Sequence, residues 1–112
     1  MMNYHNRKFK PTINSENGET SSDTIFHYLQ DGNILTASYS GGAIKKGQLI
    51  GLVDEKGNID MRYHQVNIKG KLMTGICRSK PEIMTNGKIR LHETWKWTSG
   101  DESRGSSIIE EI

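Results

Sequence analysis

Two ionisable side chains, Arg78 and Glu93, fall among apolar residues in the alternating part of this 112-residue sequence. A guanidinium group can hold a carboxylate or phosphate through paired hydrogen bonds, and a neighbouring carboxylate can orient the bound molecule. The two residues therefore predict a polar anchor for a ligand, with Arg78 binding an anionic group. They could instead form a structural salt bridge between neighbouring strands, because a buried charge needs a partner.

Aromatic side chains alternate with polar ones in the same part of the sequence as Arg78 and Glu93. Trp95 and Trp97 are two positions apart, so both point to the same side of a strand. With Tyr63 they could form a stacking wall for a small, partly apolar molecule. Filling the core of a small domain is the alternative use of the two tryptophans. The predicted ligand-binding residues are thus Tyr63, Arg78, Glu93, Trp95 and Trp97.

Histidine and cysteine positions give no indication of metal or thiol chemistry. His64 and His92 are predicted on strands two apart, about 9–10 Å from each other, whereas zinc ligands lie ~2 Å from the ion. The single cysteine, Cys77, has no base that its spacing would place beside it, so it is predicted to be a packed residue. We therefore expect no metal and no cofactor.

The elements that would position these side chains are strands. The sequence contains thirteen Ile and eight Thr but only two Ala, and branched side chains suit a pleated sheet better than a helix. No window of helical length carries an amphipathic stripe, whereas residues 89–97 alternate between apolar and polar. The chain is predicted to be all-β.

Turn-forming pairs that end in glycine divide the chain into eight segments of strand length. They occur at 17–18, 31–32, 41–42, 56–57, 69–70, 86–87 and 99–100. Because glycine adopts the positive φ that tight hairpins need, these pairs predict consecutive hairpins. Eight such strands indicate an antiparallel up-and-down meander barrel of the calycin type, with a β-sandwich as the alternative. Residues 15–23 are predicted to be an exposed loop, and residues 106–112 to close the barrel against the first strand.

Pairing residues 58–66 with 71–79 separates an inner from an outer face, and places Met61 opposite Ile76. The predicted inner face comprises Ile59, Met61, Tyr63, Leu72, Ile76, Arg78, Ile89, Leu91, Glu93, Trp95 and Trp97. The predicted outer face comprises Asp60, Arg62, His64, Cys77, Arg90, His92 and Lys96. A bulge at Pro81, which cannot donate to the ladder, would break this parity.

Length and charge limit the classes of function. A chain of this size fits one domain, residues 1–112. The formal net charge of +2 predicts neither nucleic-acid binding nor attraction to a membrane surface. No apolar run approaches the ~18 residues of a membrane span, and the polar N-terminus lacks the apolar block of a secretory signal. We expect a cytoplasmic protein.

Residues 39–42, 61–64, 75–79 and 91–101 resemble a family of small uncharacterised bacterial proteins that are often labelled N-acetylglutamate synthase. The resemblance covers most of the chain and supplies no catalytic residues. Residues 48–53 are superficially similar to the pyrophosphate loop of acetyl-CoA-dependent N-acetyltransferases, but that loop must precede a helix, and residues 54–58 predict a hairpin turn. At the level of fold, the meander resembles lipocalin-like and avidin-like barrels.

Three functions remain open at this point. The leading hypothesis is a barrel that binds a small, partly apolar or anionic molecule. The second is an enzyme that uses an acid or base at the barrel mouth, such as Glu93 or His64. The third is a filled structural barrel whose outer strands mediate self-association, for example as a homodimer. A cavity of a few hundred Å³ would distinguish the first from the third.

Overall fold

A computed structural model describes residues 2–112 and contains eight strands. Consecutive strands are joined by short loops, apart from the longer connection over residues 15–24 between the first two. The strands are β1 Arg7–Asn14, β2 Ile25–Asp31, β3 Ile34–Gly41, β4 Ile44–Val53, β5 Ile59–Asn67, β6 Leu72–Ile83, β7 Ile89–Trp97 and β8 Arg104–Glu111. No helix is present in residues 2–112, and so none that could cross a membrane.

The strands close into a barrel in their order along the chain. Each pairs antiparallel with the next, and β8 returns to pair with β1, where Pro11 faces Ile109. A guanidinium–carboxylate pair supports this closure, because Arg7 Nη1 lies 3.0 Å from an oxygen of Glu111. The predicted eight-stranded meander barrel and its closure by the C-terminal segment are both confirmed.

The turns form where the glycines predicted them. Gly32 and Gly87, for example, have φ of 61° and 83°, a region in which a side chain would be strained. Such residues let two-residue and slightly longer loops match the twist of the strands that they join. The result is one barrel with a mouth formed by residues 15–24 and three shorter loops, and with Tyr4 buried at the opposite end.

Alternation along the strands produces a continuous core. In β7, Ile89, Leu91, Trp95 and Trp97 are all less than 10% exposed, whereas His92 and Thr94 between them face solvent. The same rule holds in β2 to β5, because successive side chains of a strand point to opposite faces. The predicted inner residues Ile59, Met61 and Tyr63 do face the interior.

The predicted face of β6 is wrong. Met61 pairs with Cys77 rather than with Ile76, so Leu72, Ile76 and Arg78 point outward and Cys77 points inward. The cause is the loop before β6, which contains three residues, 68–70, between the paired positions Asn67 and Lys71. The predicted pairing required a loop of four residues, so a loop of three moves the register of β6 by one residue. A shift of one residue turns every side chain of a strand to the other face.

Two details of the Asn67–Lys71 turn explain why it has three residues. Gly70 has a φ of 78°, the left-handed conformation that ends a three-residue hairpin loop. The Asn67 carboxamide oxygen also accepts hydrogen bonds from the amides of Lys69 and Lys71, both at 3.0 Å. Pro81 does not disturb the parity, because the register of β6 with β7 continues through Pro81 and Leu91.

Candidate binding cavity

The barrel encloses a cavity under the loop of residues 15–24. Its volume is about 50 Å³, several times the ~10–15 Å³ that one water needs but below the ~300–1,000 Å³ of ordinary ligand pockets. The cavity is therefore smaller than the few hundred Å³ expected for a ligand-binding barrel, although the interior is not filled solid. Six of its sixteen lining residues are aromatic, and the lining comprises Asn14, Gly18, Glu19, Thr20, Phe26, Tyr28, Tyr39, Leu49, Met61, Tyr63, Gln65, Cys77, Glu93, Trp95, Trp97 and Ser107.

Four of the five predicted binding residues line this cavity. Tyr63, Glu93, Trp95 and Trp97 come from β5 and β7, and alternation directs all four to the interior. Arg78 does not join them, because the register of β6 places its side chain on the exposed outer face. The predicted pairing of Arg78 with Glu93 is therefore wrong, and with it the anionic anchor inside the barrel.

Glu93 is held by two serines instead. Its two carboxylate oxygens accept hydrogen bonds from the hydroxyls of Ser79 and Ser107, at 2.9 and 3.1 Å. Glu93 points into the barrel and lines the cavity. Burial raises the pKa of this carboxyl above its ordinary value, and the two serine hydroxyls offset part of that rise.

The tryptophans and Tyr63 form one aromatic wall. The rings of Trp95 and Trp97 meet edge to face with centroids 5.6 Å apart, and Tyr63 contacts Trp97 in the same way at 5.6 Å. A second aromatic wall faces them from β2 and β3, where Phe26 and Tyr39 stack with centroids 4.5 Å apart. Rings on two sides give the cavity a large polarisable surface.

Three of these rings lie against glycines, each on the neighbouring strand. The pairs are Tyr39 with Gly47, Tyr63 with Gly75, and Trp95 with Gly105. A Cβ atom on any of these glycines would overlap the ring that faces it. The absence of a side chain lets each ring lie flat on the barrel wall and keeps the space in front of it open.

The loop over residues 15–24 closes the mouth and was predicted only as an exposed loop. Its Asn17 carbonyl accepts a hydrogen bond of 3.0 Å from the Trp97 indole N–H. The Glu19 carboxylate accepts one bond from Gln65 and one from Asn67, both at 2.8 Å. The loop thus ties β1 and β2 to the opposite side of the barrel.

Two buried polar atoms at the cavity have no partner within residues 2–112. They are the hydroxyl of Tyr28 and the side-chain oxygen of Asn14. Buried polar groups are nearly always paired, so each orphan beside the cavity can form a hydrogen bond to a water or to a ligand group. Sequence reasoning did not single out these residues. Asn14 ends a strand and Tyr28 belongs to an ordinary alternating one, so nothing in the pattern separates either from core and turn residues.

The other residues considered for chemistry are not assembled into a site. Cys77 lies inside, 4.0 Å from the Ser79 hydroxyl, and burial raises the pKa of its thiol well above the usual value, which keeps it un-ionised. His64 is on the outer face beside Gln48, away from Glu93. Within residues 2–112, no group of three His, Cys, Asp or Glu side chains could hold a metal ion.

Comparison with known proteins places this barrel in a family. The profile of the family described as Avidin-like protein matches residues 2–112, which is almost the whole chain. No curated protein and no solved structure matches. The match and the closed eight-stranded barrel both support a small-molecule-binding barrel in general. The chain therefore belongs to the avidin-like protein family.

Proposed function

We propose that this protein binds a compact, partly apolar small molecule inside the barrel, between Trp95, Trp97 and Tyr63 and against Glu93. The observation that carries the proposal is the cavity itself, with aromatic rings, a carboxyl and two orphan polar atoms in its lining. Side chains leave this space unfilled, although natural interiors pack with few voids.

The size and charge of the cavity limit which ligands it can bind. About 50 Å³ admits a molecule of a few heavy atoms while the loop of residues 15–24 is closed. A larger ligand requires that loop to move. The anionic alternative loses its support, because Arg78 lies outside the barrel.

The two tryptophans make binding directly observable. Both line the cavity, and the chain has no others. Heteronuclear NMR therefore gives two indole N–H signals that report on the site. We expect a library of small metabolites to contain members that shift both signals and the Tyr63 ring. Acetyl-CoA and glutamate are included, because the bacterial family that the sequence resembles is often labelled N-acetylglutamate synthase. Biotin is included because avidin-like family members bind it.

Two variants locate the binding site. Tyr63→Leu removes one ring of the aromatic wall and should weaken binding about tenfold. Arg78→Ala is the matched control on the outer face, and should leave binding unchanged. If no compound shifts the indole signals, or if Arg78→Ala removes binding and Tyr63→Leu does not, the cavity is not the binding site.

We further propose that the outer face of β2–β4 mediates formation of a homodimer. Four aliphatic side chains lie side by side there and are 41–57% exposed: Leu29, Ile34, Ile50 and Leu52. Thr36 lies among them and carries no charge, so the patch suits a second copy of itself around a twofold axis.

Sedimentation at several protein concentrations tests the homodimer. Ile50→Lys places a charge in the patch and should shift the protein to monomer. Ile68→Lys is the control, because Ile68 is 68% exposed but lies in the loop between β5 and β6. A wild-type protein that stays monomeric at all concentrations rejects the homodimer and leaves the cavity proposal untouched.

A further inference from the structure

The charges that face the cavity are all of one sign. Glu93 lies in the wall and Glu19 lies in the loop that covers it, whereas no Lys, Arg or His of the described chain lines the space. Neither carboxylate has an ion-pair partner within residues 2–112. Such a cavity repels an anion and leaves a negative potential that a cation could neutralise.

Several polar atoms in the cavity can accept a further hydrogen bond. Each carboxylate oxygen of Glu93 takes one serine hydroxyl and has room for a second donor. The nitrogen of the Asn14 carboxamide donates to Thr20, whereas its oxygen has no donor within residues 2–112. The Tyr28 hydroxyl is also unpaired. A ligand that fits these groups carries N–H donors.

The aromatic rings suit the same charge. Tyr39, Tyr63 and Trp95 each lie against a glycine backbone, so the other face of each ring turns toward the lumen. The face of an aromatic ring is its negative side and attracts ammonium and amidinium groups, most strongly where water is excluded. Rings and carboxylate therefore favour the same kind of ligand.

We propose that the ligand of this cavity is a compact organic cation that carries N–H donors, an ammonium or an amidinium, with Glu93 as its counter-ion. This inference rests on the proposed function, since it assigns a chemical class to the molecule bound inside the barrel. It also replaces the anionic group that Arg78 was predicted to bind by a cationic one.

Cation binding should depend on pH. Burial raises the pKa of Glu93, whereas a bound cation favours its ionised form. In the pH range where Glu93 is still protonated in the ligand-free protein, cation binding therefore releases a proton. The cation affinity should therefore rise with pH through that range. Four other titratable groups that face Glu93 have a raised pKa and stay protonated there: Tyr28, Tyr39, Tyr63 and Cys77. Glu19 faces the same cavity from the loop at its mouth.

Matched pairs of probes test the charge alone. Acetamidinium is compared with acetamide, and propylammonium with propanol, because each pair has nearly the same size and shape. Acetate serves as the anion. Titrations follow the two Trp indole signals of the full-length protein. We expect the cation of at least one pair to bind about tenfold more tightly than its neutral partner, and acetate not to bind.

Glu93→Gln keeps the size of the side chain and removes its charge. It should abolish the preference for the cation while the neutral probe still binds; Glu55→Gln, an exposed residue at the opposite end of the barrel, should preserve it. The comparison within wild-type protein stands even if Glu93→Gln does not fold. If neutral probes or acetate bind as well as the cations, the cation inference is rejected and the binding function stands. If neither these probes nor the metabolite library shift the indole signals, both are rejected.

Discussion

Tyr28 and Tyr39 bring the same hydroxyl group to the same cavity, but only Tyr39 has a partner for it. The Tyr39 hydroxyl donates to the side-chain oxygen of Gln65 at 2.9 Å, whereas the Tyr28 hydroxyl is buried and unpaired in residues 2–112. A buried donor without a partner costs stability that a phenylalanine would not. The arrangement resembles a site that sacrifices stability for binding.

Replacing each tyrosine by phenylalanine should therefore have opposite effects. We expect Tyr28→Phe to raise the free energy of unfolding by about 1 kcal/mol, because it removes an unsatisfied hydroxyl. Tyr39→Phe should lower it by about 1 kcal/mol, because it leaves the Gln65 oxygen without its donor. Urea unfolding measures both changes. Equal destabilisation by the two substitutions would mean that Tyr28 has a partner, such as a fixed water.

Glu93 should make the stability depend on pH. Burial raises the pKa of its carboxyl above 4.5 in the folded protein, so folding favours the protonated form. Its contribution is fully present below pH 4.5 and is lost as the pH rises through the raised value. The stability of Glu93→Gln relative to wild type should thus increase with pH across that window.

Glu82 provides a control, because its effect on stability should change with pH in the opposite direction. A hydrogen bond from His92 lowers the pKa of this exposed carboxyl, so its contribution is present at higher pH and is lost as the pH falls. Stability curves of Glu82→Gln and Glu93→Gln should therefore diverge from wild type in opposite directions. A Glu93→Gln curve parallel to that of wild type would show that Glu93 is well solvated.

Among the elements, the hairpin β5–β6 shows how a ring can line the cavity without filling it. Gly75 is paired with Tyr63, and an added Cβ would overlap the tyrosine ring. Alanine is normally better than glycine inside a strand, by about 0.5–1 kcal/mol. Here the contact reverses that preference, because the ring would have to tilt into the lumen.

We expect Gly75→Ala to destabilise the protein by about 1–3 kcal/mol and to reduce ligand binding. In a Tyr63→Ala background, the same change should be neutral or slightly stabilising, because the ring is gone. Chemical denaturation of the four proteins in this double-mutant cycle measures the coupling. Additive effects would mean that Gly75 is needed for its backbone and not for the ring.

The β6 strand also marks the limit of what the sequence predicts. Glycine-ended turns and alternation were enough for eight strands, their order and the faces of β5 and β7. They were not enough for the register of β6, because a loop of three residues and one of four look alike in sequence until the conformation of Gly70 is known.

The candidate site was predicted in the same uneven way. Tyr63, Glu93, Trp95 and Trp97 lie on the strands whose faces were correct, and Arg78 lies on the one that was wrong. The glycines beneath the rings could have been noticed, since a glycine inside a strand often marks a close approach. The closure of the mouth by residues 15–24 could not be predicted, because the hydrogen bonds of Asn17 and Glu19 join residues distant in sequence.

In the whole molecule, the seam between β1 and β2 is the weakest part of the barrel. These strands pair only from Arg7 to Phe9, whereas β4 and β5 pair from Ile44 to Val53 along their whole contact. Beyond Phe9, the other edge of β1 continues along β8 to Asn14, and the space beside it is occupied by the loop of residues 15–24. We therefore expect a molecule to enter the cavity beneath this loop.

Amide hydrogen exchange followed by NMR should show this seam directly. Exchange measures local opening, which is easiest where few backbone bonds must break. We expect the amides of residues 15–24 and of the β1–β2 ladder to exchange at least tenfold faster than those of β4 and β5. A bound ligand should slow exchange in the loop, because Glu19 and Asn17 must release Gln65 and Trp97 before it can leave. Uniform protection around the barrel, or ligand-induced protection at the opposite end near Tyr4, would mean that entry does not occur beneath this loop.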